Sequence, residues 1–140
     1  MAKKITRKGL KRQLDTLYAE VVKARDSRVY GIQCALGCGR EADQTFHFIT
    51  RAREAVRWDP ANAVRSCAAC NIVYEHNQIF VDKVFSWFKT KFGEAAWDDL
   101  KLKGGHPANH SMDDLRAIQN GLKAELQKLT ANQTTFGKKA

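Results

Sequence analysis

Apolar side chains recur at helical spacing near both ends of the chain. Within segment 1–28 the apolar positions are Leu10, Leu14, Leu17 and Val21. Within segment 104–131 they are Leu115, Ile118, Leu122, Leu126 and Leu129. Each set lies on one face of a helix, so the pattern predicts an amphipathic helix near each terminus. Ser111 and Asp114 are spaced as an N-cap and an acidic N3 residue at the start of the second helix, and we expect 132–140 to be a flexible basic tail.

The middle of the chain, residues 29–103, has a different pattern. The stretch "VYGIQCALGCGREADQTFHFI" mixes β-forming residues with glycines and predicts two short strands around a tight knuckle, whereas 50–66 reads as a loop. The stretch "NIVYEHNQIFVDKVFSWFKTKFG" predicts one helix, or two helices broken near Asn77, with Gly93 as the C-terminal cap, and "EAAWDDLKLKGG" adds a turn or two. We therefore expect an α+β fold in which the core 29–103 lies between the terminal helices of a single domain.

The net charge narrows the range of partners. Lys and Arg total 24 against 15 Asp and Glu, which gives a formal charge of +9 and favours a polyanion such as nucleic acid over an anionic membrane. Nine basic and three acidic residues fall within 1–28. The sequence contains neither a bilayer-length apolar stretch nor a secretory signal, so we expect no membrane and a reducing, cytoplasmic setting.

Four cysteines form two close pairs. Cys34 and Cys38 enclose three residues, Cys67 and Cys70 enclose two, and 28 residues separate the pairs. Two such knuckles supply the tetrahedral four-sulfur shell of structural zinc, and two disulfides or four unrelated thiols are the alternatives. Four protein sulfurs leave no open coordination position, so we assign the predicted zinc to folding and not to chemistry.

Ordered motifs surround the second cysteine pair. "HFITR", "RWDPAN", "CAACN" and "NQ" follow one another between about residues 30 and 95. This order resembles the phage lambda NinG (Rap) recombination nucleases, within the HNH or ββα-metal superfamily that includes endonuclease VII. The resemblance implies a zinc-stapled ββα-metal core and metal-dependent DNA cleavage, in a bacterial host cell if the chain is phage-encoded.

The resemblance also implies roles for single residues. His47 would be the general base that deprotonates a water, Asn62 would hold the loop that orients His47, and Asn71 would be a ligand of a catalytic Mg²⁺ or Mn²⁺. Glu75 follows Asn71 by four residues, so the two share a helix face, and we infer Glu75 as a second ligand of that cation. The alternatives are a structural histidine at 47, an N-cap at 71 and a solvated helix residue at 75.

One position departs from the HNH pattern. Phe46 stands where these enzymes commonly have an Asp or His metal ligand immediately before the general base. Asp43 has the same strand parity as His47 and is a candidate replacement. A degenerate site that binds DNA without cutting it is therefore an alternative.

Basic side chains provide candidate phosphate contacts. The nucleic-acid-binding candidates are Arg51, Arg53, Arg57 and Arg65 in or beside the loop, and Lys8, Lys11 and Arg12 on the first helix. Arginine suits bidentate phosphate contacts, although a run of charge is commonly a solvated face.

The leading hypothesis is a metal-dependent DNA endonuclease. The family resemblance implies branched recombination substrates such as Holliday junctions or D-loops. A non-catalytic zinc module that binds nucleic acid and an HNH nuclease of linear duplex are the alternatives. Symmetric cleavage of a junction needs two sites, so a homodimer is a further hypothesis, in which the apolar stripes of the terminal helices either meet a second copy or serve the core of one chain.

Overall fold

The computed structural model describes residues 4–139, with side chains described for 4–131. The helices are α1 Arg7–Tyr30, α2 Glu54–Arg57, α3 Ala68–His76, α4 Gln78–Phe92, α5 Glu94–Gly105 and α6 Met112–Lys139, and a short 3-10 turn covers Pro60–Asn62. The strands are β1 Gln44–His47 and β2 Ala63–Ser66. The protein is thus α+β and mostly helical, with a small sheet.

The terminal helices α1 and α6 pack against each other. Their predicted apolar stripes meet in one cluster of buried residues, which includes Leu10, Leu14, Leu115 and Leu122. The stripes therefore form the core of one chain and are not a free surface for a second copy. The predicted cap is confirmed, because the Ser111 hydroxyl accepts from the N–H of Asp114 at 3.0 Å and the Asp114 carboxylate accepts from the N–H of Ser111 at 2.9 Å. The backbone of α6 continues past residue 131 into the segment that we expected to be a tail.

Strands β1 and β2 pair antiparallel, with Phe46 opposite Val64 and His47 opposite Ala63. The expectation of a loop throughout 50–66 is therefore wrong, because β2 occupies its last four residues. Of the two strands expected within 29–49, β1 is present, whereas the second is replaced by an isolated bridge between Gln33 and Glu41 that closes the knuckle. A four-residue strand with alanine and serine at its ends carries little intrinsic β signal, so its pairing with β1 fixes its conformation.

A second apolar cluster joins the sheet to α2, α4 and α5. Its buried residues include Phe46, Phe48, Val64, Phe88 and Trp97. The helix break near Asn77 is confirmed, and the Asn77 side chain caps α4 by accepting from the N–H of Phe80 at 3.1 Å. Gly93 ends α4 with φ 93°, a left-handed conformation that favours glycine, while α5 is longer than predicted. Among the described residues no helix is both long and apolar enough to cross a bilayer.

Candidate functional site

The four cysteines converge. Their sulfur atoms all lie within 4.8 Å of one another, with 3.9 Å between Cys34 and Cys70 and 3.4 Å between Cys38 and Cys67. A tetrahedron with Zn–S bonds of about 2.3 Å has sulfur–sulfur edges of about 3.8 Å. The cluster therefore fits the four-sulfur shell that the spacing predicts.

Local backbone structure aims the sulfurs at one point. In the first knuckle Gly37 and Gly39 have φ of 79° and 84°, where a side chain would be strained, and the N–H of Cys34 donates to the carbonyl of Arg40 at 2.8 Å. In the second knuckle the Cys67 sulfur caps α3 by accepting from the N–H of Cys70 at 3.4 Å. A thiolate accepts such a bond better than a thiol does, so the backbone favours the metal-binding form.

Burial and hydrogen bonds also shift the pKa values of the cysteine thiols. Burial raises the pKa of the Cys34 thiol. Burial also opposes ionisation of Cys67, but hydrogen bonds from the Cys70 N–H and the neighbouring thiols lower its pKa to about 7. Burial likewise raises the pKa of Cys70, so Cys67 is the cysteine whose thiolate is favoured near neutral pH before a cation arrives.

A cleft of about 750 Å³ lies between α1, β1 and α3. Four of the predicted site residues line this cleft, namely His47, Asn71, Glu75 and Arg51. The first three come from two elements, because His47 ends β1 whereas Asn71 and Glu75 lie one turn apart on α3. The structure therefore brings the predicted base and both predicted ligands of the second cation to one cavity.

The His47 ring is held from two sides. Its Nε2 lies 3.2 Å from the carbonyl oxygen of Arg57, and its face stacks on Tyr18 with ring centroids 5.4 Å apart. A carbonyl only accepts hydrogen bonds, so Nε2 carries the hydrogen in this contact and Nδ1 is left as a proton acceptor. Burial lowers the pKa of His47 below its ordinary value of 6.5, which keeps the imidazole neutral at pH 7.

Asn62 holds the loop after His47 and does not line the cleft. Its fully buried amide accepts from the N–H of Ile49 at 2.8 Å and donates to the carbonyls of Ile49 at 2.9 Å and Val56 at 3.1 Å. These bonds tie the segment that follows β1 to the segment that ends α2. The contacts agree with the expected loop-holding duty.

Asn71 lies inside α3 and not at its start. Cys67 is the N-cap of this helix, so the interpretation of Asn71 as the cap is wrong. The Asn71 amide donates to the side-chain oxygen of Gln44 at 3.4 Å, which orients its own oxygen as an acceptor. Glu75 is 73% exposed, and its only described partner is His76 at 4.0 Å. Both α3 side chains thus present oxygens at the cleft.

Phe46 points away from this site. It is fully buried in the apolar cluster of the sheet, whereas its neighbour His47 faces α1. Alternation along β1 therefore places position 46 in the core, where a carboxylate would be desolvated without a partner. Asp43 does not line the cleft, so the structure does not support it as a replacement ligand.

A second groove, of about 530 Å³, adjoins the cleft. It is lined by Arg7, Lys8, Lys11, Arg12, Asp15, Arg51 and Arg57. We call it the basic groove. Asp15 and Arg51 line both cavities, so the basic groove borders the cleft.

Not every predicted basic residue is available to a ligand there. Arg53 and Arg65 do not line the groove, and the Arg65 guanidinium donates to the carbonyl of Ala42 at 2.9 Å. Arg57 lines the groove, but its guanidinium donates to both carboxylate oxygens of Asp15, at 3.1 and 2.6 Å. Internal acceptors thus engage two nitrogens of the Arg57 guanidinium and one of Arg65, so phosphate contacts at these two residues stay a prediction with fewer donors available.

Several polar residues of the cleft carry no recognisable motif in the sequence, among them Asp15, Tyr18 and Gln44. The only signal at Asp15 was a lone carboxylate within the basic stretch "RKGLKRQLD". Its partners Arg57 and Trp58 lie more than forty positions away in sequence, so spacing could not identify them. No protein-family model, curated protein or solved structure matches this chain, so the resemblance to the phage nucleases rests on the quoted motifs.

Proposed function

We propose that this protein is a metal-dependent endonuclease that hydrolyses phosphodiester bonds in DNA at the cleft. The observation that carries the proposal is that His47, Asn71 and Glu75 line one cavity, which borders the basic groove. The order β1, β2, α3 around the cysteine cluster agrees with the ββα-metal arrangement of the HNH enzymes. A base, two oxygen ligands and a cationic approach are the groups that such hydrolysis needs.

His47 acts as the general base in this proposal. The Arg57 carbonyl and the Tyr18 ring fix its orientation, and Nδ1 faces no described hydrogen-bond partner. A neutral imidazole with a lowered pKa is already deprotonated at pH 7, so Nδ1 takes a proton from the attacking water. Asn62 supports this step indirectly by holding the loop that follows β1.

Asn71 and Glu75 are the residues that would hold Mg²⁺ or Mn²⁺. Their amide and carboxylate oxygens are the hard ligands that these cations prefer, and the side-chain oxygen of Gln44 lies beside Asn71. When bound, the cation stabilises charge on the scissile phosphate and on its leaving oxygen. Among the described residues, no cluster of three His, Cys, Asp or Glu side chains forms here, so water would have to supply the remaining ligands.

The basic groove receives the DNA backbone. Lys8, Arg12 and Arg51 are exposed and make no ion pair within the described part of the chain, so their charges are available to phosphates. Lys8 and Arg12 are four residues apart on α1 and therefore share a face. The resemblance to the recombination nucleases makes branched DNA the preferred substrate, and a two-fold junction would need two copies of the chain.

The test compares cleavage of three labelled substrates, a four-way junction, a fork and a linear duplex, with and without added Mg²⁺. Magnesium is omitted instead of chelated, since a chelator would also remove zinc. Wild type is compared with His47→Ala and with His106→Ala, in which an exposed histidine outside the cleft is removed. We expect Mg²⁺-dependent cleavage by wild type and His106→Ala, strongest on the junction, and a loss of about 100-fold or more in His47→Ala.

Other outcomes separate the alternatives. Equal cleavage of every substrate would favour an HNH nuclease of linear duplex and would remove the branch preference. Binding without cleavage by wild type would favour a non-catalytic zinc module. The small number of acidic ligands in the cleft is the observation that favours the non-catalytic module as the second candidate function.

A further inference from the structure

Helix α1 is hydrogen-bonded to three consecutive residues, 57–59, which run from the last residue of α2 to the residue before the 3-10 turn. The Asp15 carboxylate accepts from the Arg57 guanidinium at 3.1 and 2.6 Å and from the Trp58 indole N–H at 2.9 Å. The Tyr18 hydroxyl donates to the Asp59 carbonyl at 2.6 Å. Residues 57, 58 and 59 thus each bond to α1, through Asp15 or Tyr18, which are less than one helical turn apart on the same face.

Two of the residues in these hydrogen bonds, Arg57 and Tyr18, also contact the imidazole of His47. The carbonyl that faces His47 Nε2 belongs to Arg57, and the ring that stacks on His47 belongs to Tyr18. Asp15 holds the side chain of the residue that supplies this carbonyl, and it also holds the next residue, Trp58. A bidentate arginine–carboxylate pair fixes geometry better than a single bond does, so the position of the carbonyl depends on Asp15.

The same hydrogen bonds keep Asp15 ionised. Partial burial opposes its ionisation, but hydrogen bonds from Arg57 and Trp58 lower the pKa of Asp15 below its ordinary value. The carboxylate is therefore charged throughout the neutral range and holds both donors there. Nothing in this arrangement requires Asp15 to meet a substrate.

We infer that Asp15 is a positioning residue for the base, which acts through Arg57 to hold His47 with its hydrogen on Nε2 and with Nδ1 as the proton acceptor. The inference rests on the proposed function for its chemical meaning. It assigns α1, which lies outside the motif-bearing segment, to the active site. The terminal helix is then part of the catalytic apparatus as well as of the core.

The test reads the tautomer of His47 directly. Long-range ¹H–¹⁵N correlation spectra distinguish Nε2–H from Nδ1–H imidazole, and the signals of His47 are assigned by their loss in His47→Ala. Spectra are recorded for zinc-loaded wild type, Asp15→Asn and Arg57→Gln. Glu20→Gln is the matched control, because it removes the same charge from an exposed position of the same helix. Circular dichroism and zinc content establish that each variant is folded.

We expect the Nε2–H tautomer in wild type and in Glu20→Gln, and a mixture with Nδ1–H in Asp15→Asn and Arg57→Gln. In the cleavage assay kcat should fall about 10-fold to 100-fold in Asp15→Asn, with KM changed less than about threefold, because a misplaced base costs rate more than binding. If Asp15→Asn does not fold, Arg57→Gln decides the test.

An unchanged His47 tautomer in the folded variants would overturn the inference, as would Nδ1–H in wild type. Absence of cleavage by wild type would instead refute the proposed function and leave the tautomer result to decide the role of Asp15. The two failures are therefore distinguishable.

Discussion

The cysteine cluster and the cleft are built in opposite ways, although α3 serves both. Three of the four cysteines are buried and their sulfurs face one another, so the cluster is closed to further ligands. In the cleft the oxygens of Asn71 and Glu75 face an open cavity, and Glu75 is largely exposed. A closed shell suits a structural ion, whereas an open one leaves room for a substrate and water.

The two regions meet between consecutive residues. Cys70 belongs to the cluster and Asn71 lines the cleft, both within the first half of α3. Because the cluster fixes the start of α3 against the first knuckle, it also fixes the direction in which the Asn71 amide leaves the helix. The cysteine cluster therefore positions a side chain of the cleft. Disrupting the cluster and disrupting the cleft should have different consequences.

Disruption of the cysteine cluster, the candidate zinc site, should have the largest effect. Structural zinc contributes roughly 10 kcal/mol or more of apparent binding free energy, which is coupled to folding. We expect Cys70→Ser to lose bound zinc, measured by atomic absorption, together with cooperative thermal unfolding and cleavage. Retention of a wild-type melting temperature without zinc would show that the cluster does not hold the fold together.

Truncation of the buried Asn62 side chain should have the second-largest effect. Asn62→Ala leaves the N–H and carbonyl of Ile49 and the carbonyl of Val56 without this partner, so we expect a loss of about 3 kcal/mol in the free energy of unfolding. Asn77→Ala is the control, because it removes one exposed helix cap worth about 1 kcal/mol. Equal losses in urea denaturation would contradict the special role of Asn62.

Acidification should affect activity and stability through His47. Its folded pKa is lowered by burial, so its contribution to stability is complete above the ordinary value of 6.5 and is lost as pH falls through the folded pKa. Each pKa unit between the unfolded and folded states corresponds to about 1.4 kcal/mol in the free energy of unfolding. We expect the acid limb of kcat to lie below pH 6.5, and His47→Gln to lose this part of the pH dependence of unfolding. An acid limb above pH 6.5 would contradict the placement of the base.

Neutralising the basic groove should have the smallest effect. Lys8→Gln and Arg12→Gln should each weaken DNA binding severalfold and reduce the slope of log K against log salt by about 1, as expected for one lost phosphate contact. Lys123→Gln on the exposed face of α6 is the matched control. Fluorescence anisotropy across a salt series measures both quantities. An equal change in the control would mean that net charge, and not the groove, governs binding.

Sequence patterns predicted the parts of this molecule that local chemistry determines. Periodic leucines indicated the terminal helices, and the glycines at 37 and 39 indicated the first knuckle. Strand β2 was missed because its conformation depends on pairing with β1, which lies across a loop. The environment of Phe46 also required the fold, since only the sheet shows which face the core covers.

The candidate site was predicted unevenly for a similar reason. The spacing of Asn71 and Glu75 placed both on one helix face, and the structure brings that face to the cleft with His47. The contribution of α1 could not be read from the sequence, because Asp15 and Arg57 meet across 42 positions. Contacts of this kind depend on how the terminal helix packs on the core.

The most direct test of the proposal that two different metal sites lie next to each other is to measure Mn²⁺ binding and zinc content on the same samples. Electron paramagnetic resonance follows Mn²⁺ binding to wild type and to Asn71→Ala, while atomic absorption reports zinc. We predict that Asn71→Ala loses the tight Mn²⁺ site and keeps the same zinc content as wild type. Unchanged Mn²⁺ binding in Asn71→Ala, or wild-type protein that binds no zinc, would contradict the account.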